Sequence, residues 1–177
     1  MASSGNVNWM GIIGLIGSVL MIAGVFLVWA EMTVSISIPI IGDYSSSITM
    51  SGMDVFNGTV TIEGQEFSDV EFDYAYAPIV CLVAGVLSLI TTIIPIVYNK
   101  IPTINRILGA VSLILAIVAL VLAIMFNGQM DAVDFEGLAS ASVSAGTGVW
   151  VCVAGGVLLA IGAIVDIAKK YVTSGDN

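Results

Sequence analysis

The chain has 177 residues, 58% of them hydrophobic with 19 glycines besides, and only 10% charged. Soluble domains run at roughly 45–50% apolar with glycine included and about 25% charged, so a water-soluble fold of this length could not hide its apolar surface, and the composition implies a lipid bilayer as solvent for much of the chain. With no histidine and four basic residues, imidazole catalysis is excluded and no Lys/Arg cluster is left to grip nucleic acid.

The first uncharged apolar run covers residues 10–30, enough for a membrane helix of about 20 residues. It lacks a basic residue before it and exceeds the roughly 7–15 residues of a signal-peptide core, so it reads as an uncleaved span. Gly11, Gly14 and Gly17 recur along it as a flat stripe of small residues.

Residues 31–77 follow a different pattern and read as a β-rich cap. From Thr33 to Pro39, Val34, Ile36 and Ile38 alternate with Ser35 and Ser37, the period-two mark of a half-buried strand. Pro39 and Gly42-Asp43 end it, and Ser45–Met50 reads as a second strand. Thr59–Ile62 is a third, and Phe67–Tyr74 a fourth with a bulge near Ser68-Asp69. The expectation is a small antiparallel sheet built from this loop alone, resting on the helix ends. A free edge or face carrying Val34, Ile36 and Ile38 would dock a neighbour; the alternative is an edge shielded by its own loops and acidic side chains. Glu71 and Asp73 share a face of the last strand and belong to the same outer interaction surface. The run from Glu66 to Asp73 lacks a calcium loop and reads as a solvated acidic face. Asn57-Gly58-Thr59 is a glycosylation sequon.

The second span covers residues 78–97, with Ala84, Ser88 and Thr92 every fourth residue and Pro95 near its end. A short turn, Tyr98–Thr103, makes the third span, residues 104–126, its antiparallel neighbour. Residues 127–148 form a second outer loop, with a short helix expected over Asp131–Leu138 and a linker or sheltered packing surface over Ala139–Gly148. The fourth span covers residues 149–168, thinned on one side by Gly156, Ala160 and Ala163. Trp9, Trp29, Tyr76, Tyr98, Phe126, Trp150 and Tyr171 sit at span ends, which reads as the aromatic belt of a membrane protein.

Charge gives the direction. Lys100, Arg106, Lys169 and Lys170 all lie beside the inner ends of an arrangement with both termini in the cytoplasm. Residues 31–77 carry eight acidic residues and residues 127–148 three more, with no cation in either. The fold class is therefore a membrane all-α four-helix bundle, N-in and C-in, with a small extracellular sheet, as one domain of the cell membrane.

Apolar side chains do not drive helix association in lipid; close approach through small residues does. Gly11, Gly14, Gly17, Ala84, Ser88, Gly156 and Ala160 are the candidate packing residues. They serve either an intramolecular bundle or, for the first helix's stripe, a partner subunit. No ionisable residue lies at the centre of a span, against a pump or an ion-coupled transporter. Cys81 and Cys152 fall at similar depth near the outer ends of spans two and four. Those spans lie diagonally in an up-down bundle, so two free thiols are expected, with a disulfide as the alternative. No catalytic, cofactor or metal residues are identified.

The layout of four spans, a long first outer loop and a smaller second one resembles the claudin and peripheral-myelin-protein type of tetraspan. Trp29 at the mouth of the first span is similar to the tryptophan that opens that family's first loop; the family's loop cysteines have no counterpart here. Ser51-Gly52-Met53-Asp54 resembles a segment of uncharacterised prokaryotic four-helix membrane proteins. The resemblance implies lateral assembly, adhesion or an accessory-subunit role without catalysis, with the bilayer and either further copies or other membrane proteins as partners. The alternative is a pore or small-solute pathway, hinted at by Ser88, Thr91 and Thr92.

Overall fold

A computed structural model describes residues 9–38, 42–62, 65–68, 71–97, 102–128, 132–135 and 139–172. Among them the chain is mostly helical. The long helices are α1 (Trp9–Val25), α3 (Ala77–Val97), α4 (Pro102–Gly128) and α5 (Thr147–Val172), with a short α2 (Gly52–Asn57) between the first two. The strands are β1 (Val28–Ile38), β2 (Gly42–Ser51), β3 (Val60–Ile62), β4 (Gln65–Phe67), β5 (Ala132–Phe135) and β6 (Ala139–Ala145).

Among the described residues three helices, α3, α4 and α5, are long and apolar enough to cross a membrane, and α1 is a shorter apolar helix. At 17 residues α1 is about 25 Å long, below the roughly 30 Å of a hydrocarbon core. The expected helix over 10–30 thus stops at Val25. Its last turn is closed by Phe26 N–H to the Ala23 carbonyl (3.1 Å) and Leu27 N–H to the Gly24 carbonyl (3.2 Å). Val28, Trp29 and Ala30 then enter β1. An apolar run does not itself distinguish helix from strand; here the main-chain partners decide, since β1 finds β2 on one side and β6 on the other. The helices pack pairwise, α1 against α3 and α5, and α4 against α3 and α5.

The main sheet has four antiparallel strands in the order β2-β1-β6-β5, and β3 and β4 form a separate two-stranded ribbon. It draws on both connecting segments, which corrects the expectation of a sheet from residues 31–77 alone. The short helix expected over Asp131–Leu138 is also corrected, because Ala132–Phe135 is a strand. Ala139–Ala145, part of the run expected as a linker or a sheltered packing surface, is a strand at an inner position of the sheet. Ala and Ser alternate with Val143 as the one β-branched residue, which gives little hydropathic contrast and a weak strand signal, so this strand is set by its partner more than by its own pattern. The long fourth strand expected over Phe67–Tyr74 is replaced by the short β4, and a turn over residues 73–76 leads into α3. The bulge expected near Ser68-Asp69 falls partly outside the described residues. A register shift does occur between Val28 and Ala30, with Trp29 as the extra residue.

Helix α2 had no hydropathic signal but has a local one. Ser51 caps it, accepting from the Asp54 N–H (3.3 Å), while Asp54 accepts from the Ser51 N–H (2.9 Å) and hydroxyl (2.7 Å). This is a reciprocal capping box. Gly58 ends the helix in the left-handed region, at φ 65°.

Candidate functional site

No side-chain cluster suggests chemistry: among the described residues no group of carboxylates and thiols is placed to hold a metal. What the residues build instead are contacts between helices, a level of buried hydroxyls, and a cap with two unlike faces.

The helix contacts run through glycine. A Cβ on Gly17 would lie 2.6 Å from the Gly155 carbonyl oxygen and 2.7 Å from the Leu159 nitrogen. One on Gly155 would lie 2.7 Å from the Gly17 carbonyl oxygen. One turn pair outward, Gly24 stands against Gly148 and Cys152 in the same way, with Gly148 O at 3.0 Å and Cys152 Sγ at 2.6 Å. Backbone therefore meets backbone along α1 and α5, the close approach that small residues allow in lipid. Of the predicted stripe, Gly17 is in this contact, Gly14 has only ordinary neighbours in Thr92 and Leu159, and Gly11 is half-buried. Ala84 and Ser88 are buried on α3, Ala160 is half-buried on α5, and Gly156 faces Leu120 of α4. Sequence reasoning missed Gly24, Gly85, Gly148 and Gly155. The seven-residue spacing shared by Gly17–Gly24 and Gly148–Gly155 is the signal that could have found three of them.

Ser18, Ser88 and Ser112 are the buried polar side chains of the described core, one each on α1, α3 and α4. Ser18 Oγ donates to the Gly14 carbonyl (2.9 Å) and Thr91 Oγ1 to the Ser88 carbonyl (3.0 Å). Thr91 and Ser112 share a hydrogen bond across α3 and α4. Ser88 Oγ is fully buried and has no partner. The two cysteines are free and buried. Cys81 Sγ–H points to the Ala119 carbonyl at 3.7 Å, and Cys152 Sγ–H to the Met21 carbonyl at 3.4 Å. Each thiol thus leans on a helix other than its own.

Trp29 roots the cap. Its side chain is fully buried, its indole N–H donates to the Gly24 carbonyl (2.9 Å), and its ring meets Phe126 edge-on with centroids 5.3 Å apart. Phe72 extends the cluster, 6.2 Å from Phe126. The belt reading is corrected for Trp29 and Phe126, which are core residues; Tyr76 and Trp150 are exposed. The indole N–H can be buried because a carbonyl at the C-terminal end of α1, which also accepts from the Leu27 N–H, has a second lone pair to offer.

The register divides the main sheet into two faces. Thr33 stands opposite Ser47 on β2 and Ser142 on β6; Ser35 stands opposite Ser45 and Ser140; Glu31 opposite Thr49 and Ser144. The other face carries Met32 opposite Ile48 and Val143, and Val34 opposite Ser46 and Ala141. Val34 is half-buried there, and Ile36 and Ile38 continue the same face along the strand, their side chains lying outside the description. Glu71 and Asp73 are exposed, apart from the main sheet, and Asn57 is exposed at the end of α2.

Comparison with protein-family models and with curated proteins finds no match to this chain.

Proposed function

We propose that the chain is a non-enzymatic membrane tetraspan acting in lateral assembly at the cell surface, as a structural or adhesive element or as an accessory subunit of a membrane complex. In this reading α1, completed by the buried root of β1, is a fourth span beside α3, α4 and α5. Both termini face the cytoplasm, and residues 31–77 and 127–148 lie outside. The claudin-like layout of the sequence supports the same picture.

The observation that carries the reading is the joint between cap and helices. One sheet drawn from both outer segments is fixed to the helix ends through Trp29 and Phe126. Non-helical backbone near a membrane is tolerated where protein buries it, as Trp29 and Ala30 are buried. Such a construction holds a surface rigidly at a set place above the lipid, which suits contact with neighbours better than turnover of a substrate.

A second reading, a route for water or a small neutral solute, draws support from the unpartnered Ser88 hydroxyl beside the Thr91–Ser112 pair. Reconstituted vesicles showing selective flux that Ser88→Ala and Thr91→Val abolish would favour it.

The test of the leading reading is twofold. Cysteines placed at Tyr44 and Ser142 should react with a membrane-impermeant maleimide in intact cells. Crosslinking in the same membranes should trap a recurring partner or further copies. Labelling of those positions only from the cytosol, or a monomer under every crosslinking chemistry, defeats it.

A further inference from the structure

We propose that a rim of apolar side chains at the cap-side ends of the helices is seated in the headgroup layer of the bilayer, with α2 and the α1–β1 turn as parts of it. Lipid then grips the root of the cap from outside, as Trp29 and Phe126 hold it from within. The inference rests on the reading that α3 and α4 cross a membrane and goes beyond it by placing part of residues 31–77 against lipid. Among the described residues, the large apolar side chains exposed outside the four long helices are Phe26, Leu27, Tyr44, Phe56 and Tyr76. Tyr44 stands at the far end of the sheet; the other four, with exposures between 42% and 61%, do not.

Those four gather at one level. A Cβ on Gly52 would lie 2.5 Å from the Val25 carbonyl oxygen and 3.0 Å from the Pro78 Cβ, so the start of α2 is wedged between the end of α1 and the first turn of α3. Phe26 and Leu27 follow Val25 directly, and Tyr76 is two residues before Pro78. Phe56 is four residues along α2 from Gly52, which at 1.5 Å per residue keeps it within about 6 Å of that level whichever way the helix runs. On α5, Gly148 stands against Gly24, and the exposed Trp150 is two residues further on.

The length of α3 gives the level its depth. Its 21 residues span about 31 Å, the thickness of a hydrocarbon core, so its Ala77 end comes to the edge of the acyl chains. The headgroup layer beyond is roughly 5–7 Å deep, enough to hold these side chains. Charge agrees: residues 25–30, 74–97 and 148–165 carry none, and Glu31 and Asp73 open the acidic part of the cap next to them. Asp54, the carboxylate on α2, is tied by the Ser51 N–H (2.9 Å) and hydroxyl (2.7 Å). The Phe26 and Leu27 N–H groups are bonded to the Ala23 and Gly24 carbonyls, so these donors are not left bare to lipid. The occupant follows from the distribution. These side chains are spread around the ends of α1, α3 and α5, which matches a layer that surrounds the protein, and aromatic rings favour that layer. A single protein partner would meet one side.

The experiment reads the depth of single cysteines in the full chain, labelled with bimane and reconstituted in phosphatidylcholine vesicles; Cys81 and Cys152 are buried and stay unlabelled. Two quenchers are compared: phosphatidylcholine brominated near the top of its acyl chains, and iodide in the water. The ratio of lipid to iodide quenching should be several-fold higher at Phe26→Cys and at Phe56→Cys than at Tyr44→Cys. Ile114→Cys, exposed midway along α4, should respond to lipid alone. If Phe26→Cys and Phe56→Cys match Tyr44→Cys while Ile114→Cys stays in lipid, the rim is overturned and the membrane reading stands. A Phe56→Cys probe that neither quencher reaches is covered by protein, which overturns the rim as well. If Ile114→Cys is itself quenched by iodide and not by lipid, both readings fall.

Discussion

Gly17 and Gly155 face each other so closely that a methyl group on either would enter the other's carbonyl oxygen, at 2.6 Å and 2.7 Å. No flexible side chain lies between them to give way, so the spacing of α1 and α5 depends on the absence of two Cβ atoms. Gly17→Ala or Gly155→Ala should cost about 1–3 kcal/mol through forced displacement of backbone. Gly14→Ala, where the nearest atoms are Thr92 side-chain atoms at 3.7 Å, should be tolerated. Thermal unfolding in a mild detergent, followed by size-exclusion recovery, separates the two outcomes.

Trp29 joins three elements, and its truncation should be the most damaging single change in the cap. Trp29→Ala removes the Phe126 contact and the bond to the Gly24 carbonyl, with an expected loss of about 3–5 kcal/mol. Trp29→Phe keeps much of the packing and removes one of the two bonds to that carbonyl, which still accepts from the Leu27 N–H, for about 0.5–1.5 kcal/mol. Chemical unfolding of the two variants side by side should rank them in that order.

Ser88 and Thr91 are three residues apart on α3 and should respond oppositely. Ser88→Ala deletes a buried hydroxyl that bonds to nothing and should leave stability unchanged or raise it by about 1 kcal/mol. Thr91→Val breaks the link to Ser112 and should cost roughly 0.6 kcal/mol, the usual worth of such bonds in a membrane protein. A loss of stability in Ser88→Ala would show that its hydroxyl has found a partner in the membrane.

The thiols provide a check on helix packing. Cys81 and Cys152, at 0% and 2% exposure, should be silent toward a polar maleimide in the folded protein and both reactive after SDS denaturation. Reaction of either one before denaturation would mean that the N-terminal ends of α3 and α5 are open.

In α2, Ser51→Ala and Asp54→Ala each remove one half of the capping box and should cost about 1 kcal/mol. The double variant should cost less than the sum, because the two groups bond each other.

Spans α3, α4 and α5 were legible because runs of some twenty uncharged apolar residues have few alternatives. The end of α1 was not, since Phe26-Leu27-Val28-Trp29-Ala30 is as apolar as the helix before it and only the pairing of β1 turns it into strand. The alternation of Val34 and Ser35 announced β1, and Ser45–Met50 announced most of β2. Strand β6 stayed hidden because Ala and Ser differ too little for periodicity to speak. The packing stripe on α1 was visible, but its mate was not: Gly155 and Gly148 lie more than a hundred residues away, and a contact between two missing side chains leaves no local pattern. The capping box at Ser51 and Asp54 was open to reading, though no hydrophobic run marked the helix behind it.

The pairing of Ala30 with Ala145 imposes an order of events on a chain made from its N-terminus. The β1–β2 hairpin can close early, but the second side of β1 stays bare until residues 139–145 have been made and brought beside it. Because those residues lead directly into α5, the cap is finished only when the last span is being threaded. Until then one edge of β1 is unpaired and open to the wrong neighbour, and a chain in which α5 fails to pack would keep it open.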